Sequence, residues 1–509
     1  MKKGIITVYL SLVLCVMISL IFAAIDSVRL SCGRAVASLA AEEGMFSLFS
    51  EYDRMLYENY GLLLLDGGYG SPELKAGALL DEAMTFTEKA LAQGTVFAGS
   101  SNLFHAGIDS KAVTGYVLAT DSGGAMLKDQ IRSLMIRKLG ADGAEALNAY
   151  YTGAAEAARA AESFDPERME SMKNNFEEGK KAAEEARLAA EEAARNAGEL
   201  LPSGPGQDET QQAGENSGNN TTGAAAGAAD IIENIYALKR LGIMAAVVPD
   251  ATGLSTAKIR TNEMPSARSN LSGMGVLPED SSTAADAVLL ARYITDFFPA
   301  FTDNRESAGL RYQAEYAVAG KNRDIDNLKS VLNRLLILRM ALNYSYLVTH
   351  PEKTEQAGML ALAISTILLI PEFIELIRQI ILMCWSYGES MLDIKTLLAG
   401  GRVPLLKDEA GWQSSLSGLA SLSSETEAGV MNKGLDYKEY LCIFLILKGS
   451  GKLIKSIGDL LEYNRRILGG EPGFSIDTCL CSMEIQLEGS IGSHSFVLTR
   501  RYGYDTIGL

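Results

Sequence analysis

The sequence predicts a mainly α protein with small antiparallel β elements (α+β), carried on an N-terminal transmembrane helix. Three observations predict it. Ile5 to Ile25 is apolar and uncharged, and at about 1.5 Å rise per residue it covers a bilayer core of roughly 30 Å. Ala, Glu, Lys and Arg, the strong helix formers, dominate residues 141–201. Period-two alternation of apolar residues is confined to short runs, clearest from Cys479 to Leu487 and from Phe496 to Tyr504.

Residues 1–25 are the membrane anchor. Lys2 and Lys3 precede the apolar segment, while Asp26 and Arg29 follow it and cancel. The positive-inside rule then places the N-terminus in the cytoplasm and the bulk outside, as a single-pass protein of the cytoplasmic membrane. The alternative is a cleaved signal peptide, but its apolar region runs only about 7–15 residues and Phe22-Ala23-Ala24 is a poor cleavage site. Leu14 before Cys15 is too large for a lipoprotein signal.

Residues 26–140 are expected to form a stalk helix and a first extracytoplasmic domain. No Pro occurs from Val28 to Tyr60, and Phe46, Phe49, Leu56 and Tyr60 recur near the helical period. Two readings stay open: one helix running from the membrane into the soluble part, or an anchor joined to a separate amphipathic helix. Tyr60 to Asp66 reads as a short buried strand closed by the turn Gly67-Gly68-Tyr69-Gly70. Helices are expected from Glu73 to about Ala92 and from Gly124 to Leu139, with the type of Ala112 to Ala119 left open.

Residues 141–201 read as an Ala/Glu-rich helical arm. Large apolar residues are few there (Phe164, Met169, Met172, Phe176, Leu188), so an exposed helix or thin coiled coil with solvated i,i+4 charge pairs is expected. Residues 202–229 are rich in Gly, Ser, Asn, Gln and Thr and read as a disordered linker.

Residues 230–509 are expected to form a second α+β extracytoplasmic domain. Asp230 to Val248 is helical and suited to pair back on the arm. Ala284 to Phe298 is a helix stopped by Pro299, and Leu310 to Val318 alternates like a strand. Asp324 to Val348 is an amphipathic helix. Glu355 to Ile370 and Glu372 to Leu398 are two apolar helices, with Pro371 at the first turn of the second. Their middle, Ala357 to Trp385, carries Glu372, Glu375 and Arg378, each costly in lipid, which favours a buried hairpin over a membrane span. Tyr437 to Leu468 reads as one helix. The tail is a β-hairpin with Cys479, Cys481, Met483, Ile485 and Leu487 on one face, and the strand near Tyr316 is its candidate third partner.

The chemistry is sparse. The 509 residues carry a formal net charge of −17, which repels nucleic acid, so no nucleic-acid partner is expected. Six cysteines are too few for a disulfide scaffold. Cys479 and Cys481 would share a strand face, open to a vicinal redox or metal role, although ordinary buried thiols are the simpler reading. The three histidines, His105, His350 and His494, are isolated. Gly449-Ser450-Gly451-Lys452 lacks the first Gly and the Ser/Thr of a phosphate loop. Asp66 to Ser71 has glycines at both hydroxyl-ligand positions of a metal-dependent adhesion loop, and Asp324-Ile325-Asp326-Asn327 fails as a calcium loop at Leu328. No catalytic, cofactor-binding or metal-ligating residue is assigned, no cofactor is expected, and the chain is not expected to be an enzyme.

The stretch from Gly4 through Leu30, the run RAVASLAAEEGMFSLFSEYDRMLYENYGLLLLD, and the segments LATDSGGAMLKDQI (118–131), EYAVAGKNRDIDNLKSVLNRLLILRMALNYSYL (315–347) and WSYGESMLDIKTLLAGGRVPLLKD (385–408) together resemble an uncharacterised family of Firmicutes membrane proteins. That family is similar in turn to the TadE/TadG-like pseudopilins of Tad (Flp) pilus systems. The resemblance implies a non-catalytic structural or assembly component of a pilus or secretion apparatus, with protein partners from that apparatus. Pseudopilins of this type often carry Gly, four residues, then Glu; here Gly4 is followed at that spacing by Tyr9. Phe46, Phe49 and Leu56 are the expected partner-binding residues, positioned to pack against other pilin-like helices; the alternative is packing inside their own domain. Two other functions are kept: a stand-alone surface binding or adhesion protein and, more remotely, an unrecognised extracytoplasmic enzyme.

Overall fold

The computed structural model describes residues 2–93, 106–198, 215–248, 252–279, 283–303, 309–429 and 431–504. In chain order the first elements are α1 (Lys2–Phe49), α2 (Arg54–Tyr60), β1 (Leu65–Asp66), α3 (Ala76–Gln93), β2 (Ala106–Leu118) and α4 (Ala125–Leu139). A helical stretch follows: α5 (Ala141–Ala161), α6 (Arg168–Gly198), α7 (Glu215–Leu241), α8 (Ile243–Val247), α9 (Ala284–Phe297), α10 (Gln313–Ala319), α11 (Asp324–Thr349), α12 (Pro351–Leu368), α13 (Ile374–Leu398), α14 (Tyr437–Lys448) and α15 (Ser450–Leu468). The chain closes with β3 (Cys479–Ile491) and β4 (His494–Gly503). The mainly helical fold with one small antiparallel sheet is the class the sequence predicts.

These elements sort into two compact units. The first takes residues 1–145, 260–293 and 450–509, and the second takes 146–259 and 294–449. The boundary expected at 229/230 is therefore not where the chain divides. The reason lies in the sheet. β3 is its central strand and is antiparallel to all three neighbours: β2 along one edge, β1 and then β4 along the other. Two of those partners come from the N-terminal region, so hydrogen bonding ties the tail to the beginning of the chain.

In the first unit, α1 is a single unbroken helix, which settles the two readings of residues 26–60. Its lower half buries Ala37, Ala40, Ala41, Met45 and Leu48. Met45, Leu48 and Phe49 pack with Leu79, Ala83 and Met84 of α3 and with Met483, Ile485 and Leu487 of β3. Gly44 permits the close α1–α3 approach, since a Cβ there would overlap Thr87 Oγ1 and lie 2.7 Å from Ala83 O. Asp53 then restarts the chain as the N-cap of α2, its carboxylate accepting Leu56 N–H at 2.9 Å, and Gly61 ends that helix at φ 68°. As expected, Cys479, Cys481, Met483, Ile485 and Leu487 of the hairpin are all buried.

The second unit is helical. α13 is buried along most of its length and packs against α11 and α12, whereas α12 buries only one face and leaves Met359, Leu362 and Ile367 exposed, so the expected buried hairpin holds for α13 and in part for α12. Several expectations are corrected here. Residues 310–318 are not a strand: Gln313 to Val318 lie in α10 and are all buried, so their alternation marks no polar face. The third partner of the tail hairpin is β2 instead. Residues 437–468 are two helices, broken at Gly449 with φ 84°. The arm is also two helices, interrupted at Asp165-Pro166, and its first part is core: Tyr151, Ala154, Ala158, Met169, Met172 and Phe176 are buried. α7 does pair back on α6, with Tyr236 Oη donating to Met169 O and Lys239 beside Glu167 and Glu170. Of the expected linker, residues 215–229 belong to α7, while 202–214 lie outside the described residues.

Candidate membrane-proximal interface

Within α1, the stretch from Ile6 is long and apolar enough to cross a membrane, with a mean hydropathy of 2.7 in its most apolar window and none of that window buried in the protein. The β3–β4 hairpin lies along the rest of the helix. At its tip, His494 Nε2 is 3.1 Å from Asp26 Oδ2, at the first charge after the apolar segment. Further along, Gly33 lies under the Ile491 side chain, Arg34 Nη2 donates to Ser495 O at 3.4 Å, and Arg500 donates to Ser38 Oγ. At the far end Phe46 and Phe49 meet the Tyr502 ring, and Tyr504 Oη donates to Phe49 O at 2.9 Å. Asp26 to Phe49 climbs about 35 Å as helix. His494 to Tyr504 climbs about 33 Å as strand. The two elements therefore match step for step, and the hairpin turn sits level with the end of the apolar segment.

The partner-binding residues expected from the sequence separate here. Phe49 and Leu56 are buried, 2 % and 0 % exposed, in the core of their own unit, and are unavailable to another chain. That corrects their assignment: the near-helical spacing marked the inward face. Phe46, 57 % exposed, remains on the surface. Cys384, Cys442, Cys479 and Cys481 are buried thiols outside any disulfide, and Cys15 and Cys32 are exposed. Burial pushes the Cys479 thiol well up. His350 stacks on Tyr346 with ring centres 3.7 Å apart, and His105 lies outside the described residues. Asp66 folds its carboxylate onto the N–H groups of Gly68 and Gly70, at 2.9 and 2.6 Å, which closes a turn. Asp324 does the same for Arg311 N–H at 2.7 Å and also accepts from Ser255 Oγ at 2.6 Å. Among the described residues, no group of three or more His, Cys, Asp or Glu side chains is placed to hold a metal ion.

Two polar clusters went unseen in the sequence. In the first unit, carboxylates strap the 260–293 segment down. Ser266 N–H and Oγ donate to Asp459 at 2.9 and 2.6 Å, and Gly273 N–H donates to Asp121 at 2.8 Å. Arg268 forks onto Glu462 at 2.6 and 2.7 Å and reaches Asp477 at 2.8 Å. Burial opposes the Asp477 carboxylate, but the Ser475 hydroxyl and the Arg268 guanidinium outweigh it and hold its pKa below the usual range.

In the second unit, Glu389 and Asp393 sit one turn apart on α13 and share Lys407, whose Nζ is 2.6 Å from Asp393 Oδ1 and also pairs with Glu389. Arg339 Nη1 donates to the carbonyls of Pro404 and Leu405 at 3.0 and 2.9 Å, while Glu389 accepts Gln413 and Ser414 N–H, both at 2.8 Å. Two cations and two anions thus anchor irregular backbone to α11 and α13. The available signal was the i,i+4 acid pair inside an apolar helix, which has to be paired to be buried. Burial raises Asp66 and Asp324 above the usual carboxylate range. It pushes Glu315 up to about 7, although Phe301 N–H and Tyr437 Oη both donate to its Oε1.

Comparison with known families adds one result: residues 222–491 match the model of a family of unknown function, DUF5702. That range includes Arg339, Glu389, Asp393, Lys407 and all of β3. Among curated proteins and among solved structures, nothing matches the chain.

Proposed function

The chain belongs to the DUF5702 family, whose function is unknown, and we propose that it is a non-catalytic, membrane-anchored structural or assembly component of a Tad/Flp-type pilus or secretion apparatus. One observation carries the reading: α1 runs without a break from its apolar half into the core of the first unit. A folded unit on a continuous helix is mounted rigidly on its anchor, which suits a part that bears load or sets spacing. Lys2 and Lys3 ahead of the apolar segment support an N-terminus inside and the bulk outside. Buried acids such as Glu389, Asp393, Glu462 and Asp477 are spent on cations and backbone N–H groups of their own units, which supports a scaffold rather than a reaction centre.

The test is to shear intact cells and assay the protein in released filaments and in membranes. Recovery in filaments makes it a subunit, despite Tyr9. Recovery in membranes alone sinks the subunit form and leaves an assembly factor or a stand-alone surface protein.

A second reading, a stand-alone surface binding protein, draws on the end of α12. Met359, Leu362, Ile367 and Leu369 are apolar yet exposed there, 60 %, 54 %, 43 % and 68 %. Loss of surface binding in a full-length Leu362→Lys chain that stays folded and membrane-bound would favour it.

A further inference from the structure

The second unit holds an open cleft of about 540 Å³ between α6, α7 and α12. Its wall is apolar. Phe176 and Ile364 are buried, Ile232 and Leu368 are half-buried, and Ile367 is exposed at the edge. Five charged side chains stand around that wall: Lys173, Glu177 and Lys180 on α6, and Glu233 and Arg240 on α7. Residues seven apart return to one helix face after two turns, so each helix turns its set toward the cleft.

Lys173 is the half-buried cation of the five. Its Nζ lies 4.3 Å from the centre of the Tyr236 ring. Among the described residues none of the five is in an ion pair, whereas Lys239 of α7 takes both Glu167 and Glu170. A half-buried ammonium with no carboxylate beside it is costly to desolvate and favours an anion as its partner. Glu177 and Glu233 are exposed, where water and salt screen them. On a chain of net charge −17 the cleft therefore holds an excess of cations.

We propose that this cleft binds a single-chain anionic amphiphile. Lys173 and Arg240 hold its carboxylate or phosphate head, and its acyl chain lies on Phe176, Ile232, Ile364, Ile367 and Leu368. Size selects this occupant over a partner helix. A helix about 10 Å across would use up the cleft in little more than one turn. Small-molecule pockets run roughly 300–1,000 Å³, with apolar walls and a few polar groups that fix the head. The contacts of Tyr236 with Met169 and of Lys239 with Glu167 make α6 and α7 antiparallel, so Lys173 and Arg240 fall toward one end and Lys180 toward the other. There the Lys180 stem can cover the chain while its ammonium stays in water.

The test uses the purified full-length chain in phosphatidylcholine nanodiscs, labelled with a diazirine-bearing fatty acid and digested for mass spectrometry. Saturable adducts are expected on the peptides that carry Phe176 and Ile364. Oleate should compete, and oleyl alcohol, the same chain without the charge, about tenfold less well, the worth of one charge-assisted hydrogen bond. Lysophosphatidylglycerol is the second competitor, and the tighter of the two anions tells a fatty acid from a phospholipid. A Lys173→Gln, Arg240→Gln chain should lose cleft labelling at an unchanged melting temperature, and a Glu177→Gln, Glu233→Gln chain should gain it.

Adducts confined to the apolar segment of α1 overturn the proposal. So does equal competition by oleyl alcohol, or full labelling of the Lys173→Gln, Arg240→Gln chain. Should that variant unfold, the acid variant decides, and labelling that fails to rise there overturns the proposal as well. The assay reads the cleft whether or not the chain enters filaments.

Discussion

Arg339 Nε lies 2.9 Å from Asp393 Oδ2, and neither side chain is reached by solvent. Asn343 also donates to Asp393, at 3.0 Å, and Lys407 adds the second cation. Removing one member leaves a charge stranded in a dry core. Arg339→Met is therefore expected to cost about 3–5 kcal/mol. Urea unfolding of the full chain, followed by fluorescence, checks this. Because Lys407 and Glu389 still balance, the double variant Arg339→Met, Asp393→Leu should recover part of the loss.

Glu315 sets a pH dependence. Its folded pKa, about 7, stands above its ordinary value of 4.5 because burial disfavours the charge. The folded state thus binds the proton more tightly than the unfolded chain. Its contribution is fully present below about pH 4.5 and is lost as pH rises through about 7, a swing of about 3 kcal/mol. Glu315→Gln should flatten that slope between pH 5 and 8 in thermal melts. An unchanged slope would show that Glu315 is ionised in the fold.

Gly44 tests the seating of α1. Alanine favours a helix over glycine by about 1 kcal/mol, but its Cβ has no room against Thr87 and Ala83. Gly44→Ala is expected to lower stability by about 1–3 kcal/mol through overpacking. Thr87→Ala in the same chain should restore part of it. A stabilised Gly44→Ala would mean that α1 and α3 are further apart.

Leu369 ends α12 at φ 56°, in the left-handed region that favours glycine, with its side chain 68 % exposed. Leu369→Gly should stabilise the second unit by about 0.5–1 kcal/mol, since it relieves backbone strain and loses little packing. A lower melting temperature would show that the leucine side chain is held by contacts worth more than the strain.

Much of the fold is legible residue by residue. The anchor, the two apolar helices around Pro371 and the inward face of the tail hairpin follow from hydropathy and period, because each is fixed by local geometry. Residues 310–318 mislead because a short helix buried on every side has no polar face to betray its period. Phe49 and Leu56 mislead for the related reason that periodicity reveals an apolar face and not what covers it.

The sequence by itself determined that this chain is mainly helical, can cross a membrane once near its N-terminus, and ends in a hairpin. Only the tertiary structure decided which segments share a unit, because β3 pairs with strands more than 350 residues upstream and no local pattern encodes that partner. It also decided that Arg339, Lys407, Glu389 and Asp393 meet. A buried charge is tolerated only beside its opposite, and that neighbour is supplied by folding rather than by sequence order.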